Sequence, residues 1–197
     1  MRYFLITLLT IFVLGCVPDS DNPLTDPNKD QIDSSILGTW FWKDENESGF
    51  IHIGRDEKSK LLTLIMVDFD RDEEVEASEF SGHTSLLEEN KYLNLKWVHP
   101  PQAEITGYIL VKYVVSSDSL GIALMDSKIV EKAIKSGSLK GKLKKDKWSF
   151  SVHITEGQKK LQGFIRQNDK ELFPEMTCLQ KLKLPNQSSK GKGKPAA

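Results

Sequence analysis

The sequence predicts a mainly β fold: an antiparallel barrel of about 8–10 strands carrying two short helices. Through most of residues 36–184 apolar side chains recur at every second position, the period of a strand with one buried face. The apolar runs are short and separated by brief turns, as in barrels and sandwiches. Only two segments change to helical spacing.

The elements follow in order. Residues 38–43, 49–54, 60–69 and 73–83 supply the first strands. Within YLNLKWV, Leu93, Leu95 and Trp97 point one way while Asn94 and Lys96 point the other. Ile109, Val111, Tyr113 and Val115 share a face, although Tyr108 and Leu110 make the reverse face partly apolar. After a strand at 119–125, Asp126 caps a helix with the apolar stripe Ile129, Val130, Ala133 and Ile134, stopped by Gly137. A strand at 138–144 precedes WSFSVHI, where Trp148, Phe150, Val152 and Ile154 face inward and Ser149, Ser151 and His153 outward. The second helix begins at Thr155, with Thr155 and Gln158 as a capping box. Its stripe is Leu161, Phe164, Ile165 and Leu172, and Pro174 closes it. A final strand covers 177–183. Both helical stripes read as core contacts against the sheet.

Composition narrows the function classes. The 197 residues suit one ordinary domain, with 39% apolar and 28% charged positions. Basic and acidic residues number 27 and 28, a formal charge of -1, which removes the global electrostatic argument for nucleic acid. Two cysteines exclude a disulfide-rich scaffold and a four-cysteine zinc site. The chain has no Walker loop, GxSxG, HExxH or GxGxxG, and no local pairing of a nucleophile with a base, so it reads as a non-enzyme. His52, His83, His99 and His153 fall in four segments without ligand spacing and read as surface or loop residues. Glu88-Glu89 and the lysine-rich run 142–147 read as solvated turns.

Residues 1–16, MRYFLITLLTIFVLGC, begin with one positive charge at Arg2 and continue as an apolar run from Tyr3 to Leu14. The run is too short to cross a hydrocarbon core of about 30 Å and matches a secretory signal peptide. Val13-Leu14-Gly15-Cys16 resembles the lipobox of bacterial lipoproteins. The resemblance implies removal of residues 1–15, a diacylglycerol on the Cys16 thiol, and a membrane partner held through acyl chains. By the sorting preference of Gram-negative lipoproteins, Val17 in place of Asp implies the periplasmic face of the outer membrane. With Cys16 acylated, Cys178 has no disulfide partner and reads as a small buried hydrophobe in a strand.

Residues 16–35 then read as lipid anchor and flexible tether, since 17–35 holds three prolines, five aspartates and few large aliphatics. Residues 36–184 form the barrel domain, and 185–197, with Lys190, Lys192 and Lys194, a disordered basic tail.

Gly38-Thr39-Trp40 resembles the GxW motif of lipocalins, which implies a Trp packed across the closed end of a barrel of about eight strands. The late-strand Arg that packs on that Trp in lipocalins has no assignable counterpart in the sequence. More broadly, residues 36–183 look like a family of uncharacterised bacterial lipoproteins. The resemblance rests on the GxW strand, KYLNL, SLGIALMDSKIVEKAIKSGSL, ITEGQKKLQGFI and Phe173. It implies a fold and no activity.

Asp68, Asp70, Asp72 and Glu79 stand at positions 1, 3, 5 and 12 of a segment resembling an EF-hand calcium loop, with Val75 at the apolar eighth place. Glu73 replaces the glycine of the sharp turn, and the flanks LLTLIMV and EFSGHT look like strands. An acidic hairpin turn is therefore favoured over a Ca²⁺ site. Two functions compete for the barrel. A filled one presents its surface to an envelope protein partner; a hollow one holds a small apolar or amphipathic ligand. The bulky inward sets favour the first.

Overall fold

Alternation along the chain turns one row of side chains into a closed sheet in the computed structural model, which describes residues 17–27, 32–43, 48–69, 75–101, 105–145 and 150–183. The strands are β1 (Asp19–Ser20), β2 (Gly38–Lys43), β3 (Ser48–Arg55), β4 (Leu62–Phe69), β5 (Val75–Leu87), β6 (Asn90–Trp97), β7 (Tyr108–Val115), β8 (Ser119–Leu124), β9 (Gly141–Lys145), β10 (Phe150–Ile154) and β11 (Thr177–Lys181). The helices are α1 (Ser127–Ser136) and α2 (Gln158–Leu172).

β2 to β8 form an antiparallel meander, each strand bonded to the next. β11 slots between β8 and β2 and closes an eight-stranded barrel, as the alternation predicts. The chain inserts α1, β9, β10 and α2 before that closing strand. β10 runs parallel to β1 and antiparallel to β9, and β1 rides antiparallel on the first residues of β7.

Two hydrophobic clusters result. Inside the barrel Trp40, Ile53, Leu62, Phe80, Leu93 and Leu120 are buried together. Outside it, Tyr92, Leu110 and Ala123 meet Val130 of α1, Val152 of β10 and Leu161 and Ile165 of α2. Fully burying one such aliphatic contributes about 1.5–3 kcal/mol. β6 and β7 therefore bury both faces, Leu93 and Val111 inward, Tyr92 and Leu110 under the helices. Tyr92 and Lys112 also converge on Asp169 of α2, a largely buried pair of contacts that bolts the helix to the wall. Burial first, then the Asp169 carboxylate, pushes the Tyr92 phenol up, so it stays a proton donor.

α1 begins as expected: the Asp126 carboxylate accepts from the Lys128 and Ile129 amides, and the helix ends at Gly137 with φ 76°. α2 does not. It starts at Gln158 after Gly157, without a side-chain cap, and the Thr155–Gln158 capping box is absent. Glu156 is turned back to accept from the Lys140 and Gly157 amides, and Gln158 donates to the Pro23 carbonyl instead.

The expected tether is the main correction. Within 17–35, Asp19, Ser20 and Leu24 are buried, and the described residues form a strap along the barrel. Leu24 lies in the cluster between the wall and α2. Its amide donates to Asn94 Oδ1 at 2.6 Å, and Asn94, expected to face solvent, is fully buried beneath it. Asn94 Nδ2 donates to Ser85 Oγ, which in turn meets Thr25 Oγ1. His83, expected on a loop or surface, is 2% exposed, with Nε2 at 2.9 Å from the Thr25 carbonyl. A polar segment is buried here because β5 and β6 present matching polar groups. Residues 1–16, Asp146, Lys147, Trp148, Ser149 and the tail 185–197 lie outside the described residues.

The strap then closes one end of the barrel. Asp33 caps the 3-10 turn Ser34–Ile36 and takes hydrogen bonds from Lys91 Nζ at 2.7 Å and Tyr113 OH at 3.0 Å. Burial opposes the Asp33 charge, but Lys91, Ser35 and Tyr113 together bring its pKa down to about 2. A carboxylate with a depressed folded pKa stabilises above its unfolded value and loses that contribution as pH falls through the folded one. Between about pH 4 and 2 the protein should therefore lose on the order of 1–2 kcal/mol through this group. Asp33→Asn should flatten that part of a pH series of urea melts; an unchanged acid limb would show that Asp33 carries no such coupling.

Candidate functional site

Trp40 lies next to this plug. Gly38 holds φ 131°, a conformation side chains resist, and starts the strand that brings Trp40 inward. The indole is fully buried, its Nε1 donates to the Ile36 carbonyl at 2.7 Å, and Lys181 Nζ sits 4.9 Å from the ring centroid. Lys181 belongs to the closing strand, so the first and last barrel strands are fastened across one aromatic ring.

The interior beyond Trp40 is filled. Trp42, Ile51, Leu64, Met66, Phe80 and Leu93 are among the side chains around a residual cavity of about 40 Å³. Small-molecule pockets run to roughly 300–1,000 Å³. Large aliphatic and aromatic residues on all eight strands meet at the axis and leave little room. Trp42, one of these residues, has a buried indole N–H without a hydrogen-bond partner among the described residues.

The exterior is divided. The insertion and strap cover much of β5 to β8, whereas the outer wall of β2, β3 and β4 is left open and sets Phe41, Phe50, Ile65, Val67 and Phe69 among the polar Thr39, Lys43, Ser48, His52 and Thr63. Register aligns Phe41, Phe50, Val67 and Ala77 in one row across β2 to β5. The neighbouring rows are Thr39, His52, Ile65, Glu79 and Lys43, Ser48, Phe69, Val75. Phe41, Ile65 and Phe69 remain 40%, 39% and 38% exposed, and the Phe50 and Phe69 rings lie 6.4 Å apart. Phe41, Phe50, Phe69 and Leu182, with Thr39, Lys43 and Ser48, line a shallow open groove of about 400 Å³ at one side of this wall. Sequence reading missed this wall because it credited alternation with a polar outer face; the signal was the apolar Phe41, Ile65 and Phe69 at outward positions.

Among the described residues, those expected to carry chemistry are not gathered. Cys16, Asp70 and Asp72 lie outside the described residues. Asp68 pairs with Glu76 and Glu79 with Ile65 on one antiparallel hairpin. An odd offset puts Asp68 and Glu79 on opposite faces, three residues apart in register, roughly 10 Å along the strand. The helix-flanked geometry that would make them first and last ligands of one loop is not formed. Among the described residues no three His, Cys, Asp or Glu side chains converge to hold a metal ion. Cys178 is in β11 as expected but is exposed, because Leu179 takes the inward place. His52 meets Thr39 Oγ1, and His153 is bracketed by Asp19 at 3.0 Å and Asp21 at 2.9 Å, which ties the strap to β10. Comparison with known proteins leaves the geometry to speak for itself: no family model, curated protein or solved structure matches the chain.

Proposed function

We propose that the chain is a lipid-anchored envelope protein whose filled barrel serves as an interaction module, held through Cys16 at the periplasmic face of the outer membrane. The observation that carries the interaction role is the contrast between an interior with about 40 Å³ to spare and an outer wall that keeps Phe41, Ile65 and Phe69 exposed. The lipobox-like Val13-Leu14-Gly15-Cys16 supports the anchor, and no catalytic step belongs to this reading. Trp40 beneath Lys181 at the plugged end supports a lipocalin-like ancestry for the barrel. A second reading, a lipocalin-like binder, is favoured by the unpartnered Trp42 N–H, which an amphipathic ligand with an acceptor would satisfy if the interior opened.

Melting the full chain with and without medium-chain fatty acids or alcohols separates the readings. A ligand at about 100 times its Kd would stabilise the fold by about 2.7 kcal/mol. The interaction reading expects no shift; a saturable rise in melting temperature that Trp42→Phe reduces would replace it with the ligand reading. Acyl labelling in cells tests the anchor separately, since Cys16→Ala should abolish the label and release the protein from membranes.

A further inference from the structure

We propose that the uncovered wall of β2, β3 and β4 is the interface of a homodimer, two copies packing sheet face to sheet face about a twofold axis. The inference rests on the interaction reading and names its partner as a second copy of this chain. Three features of the wall argue for it. The first is area. Phe41, Ile65, Phe69, Val75 and Leu182 remain between 38% and 60% exposed. With half-buried Phe50 and Val67 they offer on the order of 500 Å² of apolar surface, near the upper size seen on a monomer and most of the ~800 Å² a standard interface takes from each partner.

The second is self-complementarity. The row Phe41, Phe50, Val67, Ala77 runs straight across the strands and is apolar throughout. A twofold axis along that row lays it against itself in an isologous contact. The same operation brings Phe69 of one copy to Ile65 of the other, because these two stand in the rows on either side of the axis. An axis along the strands would instead put Ser48 against Phe69 and His52 against Ile65, matching polar with apolar.

The third is charge. The outward positions of the rows hold Lys43 and Glu79 at opposite corners and otherwise Thr39, Ser48 and His52. With the axis along the aromatic row, Lys43 meets Thr39 and Glu79 meets Val75, so no like charges are pressed together. The face has neither the basic excess that an anionic bilayer would select nor a charge pattern that would require a different protein. Sheets packing in this way stand about 10 Å apart, a spacing that interleaved Phe side chains fill.

Sedimentation equilibrium on the full chain in density-matched detergent reads the result, with Val114→Glu as control for adding charge to an exposed apolar residue of the barrel strand across from β3. We expect a concentration-dependent dimer whose Kd is unchanged by Val114→Glu and weakened about 10-fold or more by Phe41→Glu and again by Phe69→Glu. A second measurement needs no loss of folding: a short bismaleimide on Phe50→Cys, with Cys178→Ser, should give a covalent dimer that the same chain with Phe50 intact does not, since residue 50 lies on the axis and sheets about 10 Å apart are too far for a direct disulfide. A chain that stays monomeric, or a dimer indifferent to Phe41→Glu and Phe69→Glu, overturns the proposal. Running the same samples with the fatty-acid melt keeps the two readings apart: a monomer without a ligand shift removes the second copy but leaves the interaction role, whereas a monomer with one removes both.

Discussion

Trp40→Ala should lower the free energy of unfolding by roughly 3–5 kcal/mol, the lost transfer energy of a large aromatic plus the cavity left behind. The site cannot easily collapse. Trp40 is fully buried beside Ile36, its N–H is spent on the Ile36 carbonyl, and the Lys181 ammonium lies over its ring. Removing the indole therefore unfastens the plug, the first barrel strand and the closing strand together. That is a large part of the ~5–15 kcal/mol expected for the whole domain. Trp40→Phe should recover most of the loss, short of the ~0.5–1.5 kcal/mol of the hydrogen bond to Ile36. Urea unfolding followed by circular dichroism checks both. A Trp40→Ala protein with an unchanged midpoint would mean that the ring is an open functional surface and not the fastening of the barrel.

What the sequence revealed follows from what alternation can encode. Leu93 and Leu95, Ile109, Val111 and Tyr113, and Val152 and Ile154 all point where period two places them, because each strand buries at least one face. Asp126 was readable because an N-cap acts on amides two and three residues away. The failures involve partners distant in the chain. Nothing local to 17–35 announces burial, since its groups are matched by His83, Ser85 and Asn94. Lys181 over Trp40 joins the first and last barrel strands and has no motif of its own. The hairpin favoured for Asp68–Glu79 was by contrast legible, because strand-like runs flank it; register adds that Asp68 faces Glu76. The open wall was visible as single exposed aromatics; only register makes a surface of Phe41, Phe50 and Val67.

A chain beginning at Ile32 should be less stable than one beginning at Val17 by roughly 3–5 kcal/mol, while the latter should match the protein without its first 16 residues removed. The loss has two sources. Leu24 is fully buried between α2 and the wall, and its removal takes an aliphatic out of the cluster that also holds Leu87 and Tyr92. The strap also satisfies Asn94 Oδ1 and His83 Nε2 and receives Gln158 and Gln162 from α2, so its departure loosens the helix as well. The ordering entropy recovered by freeing the strap offsets part of this, which keeps the figure below the sum of its contacts. Asn94→Leu isolates the polar half: with the Leu24 amide left unpaired and Ser85 Oγ keeping only Thr25, it should cost about 1–3 kcal/mol and expose 17–27 to proteases before the barrel melts. Two chains of equal stability, or a strap cleaved equally fast with Asn94 intact, would restore the tether. Packing already begins at Val17, which lies against the barrel cluster, so a docked strap has no free stretch among its first described residues.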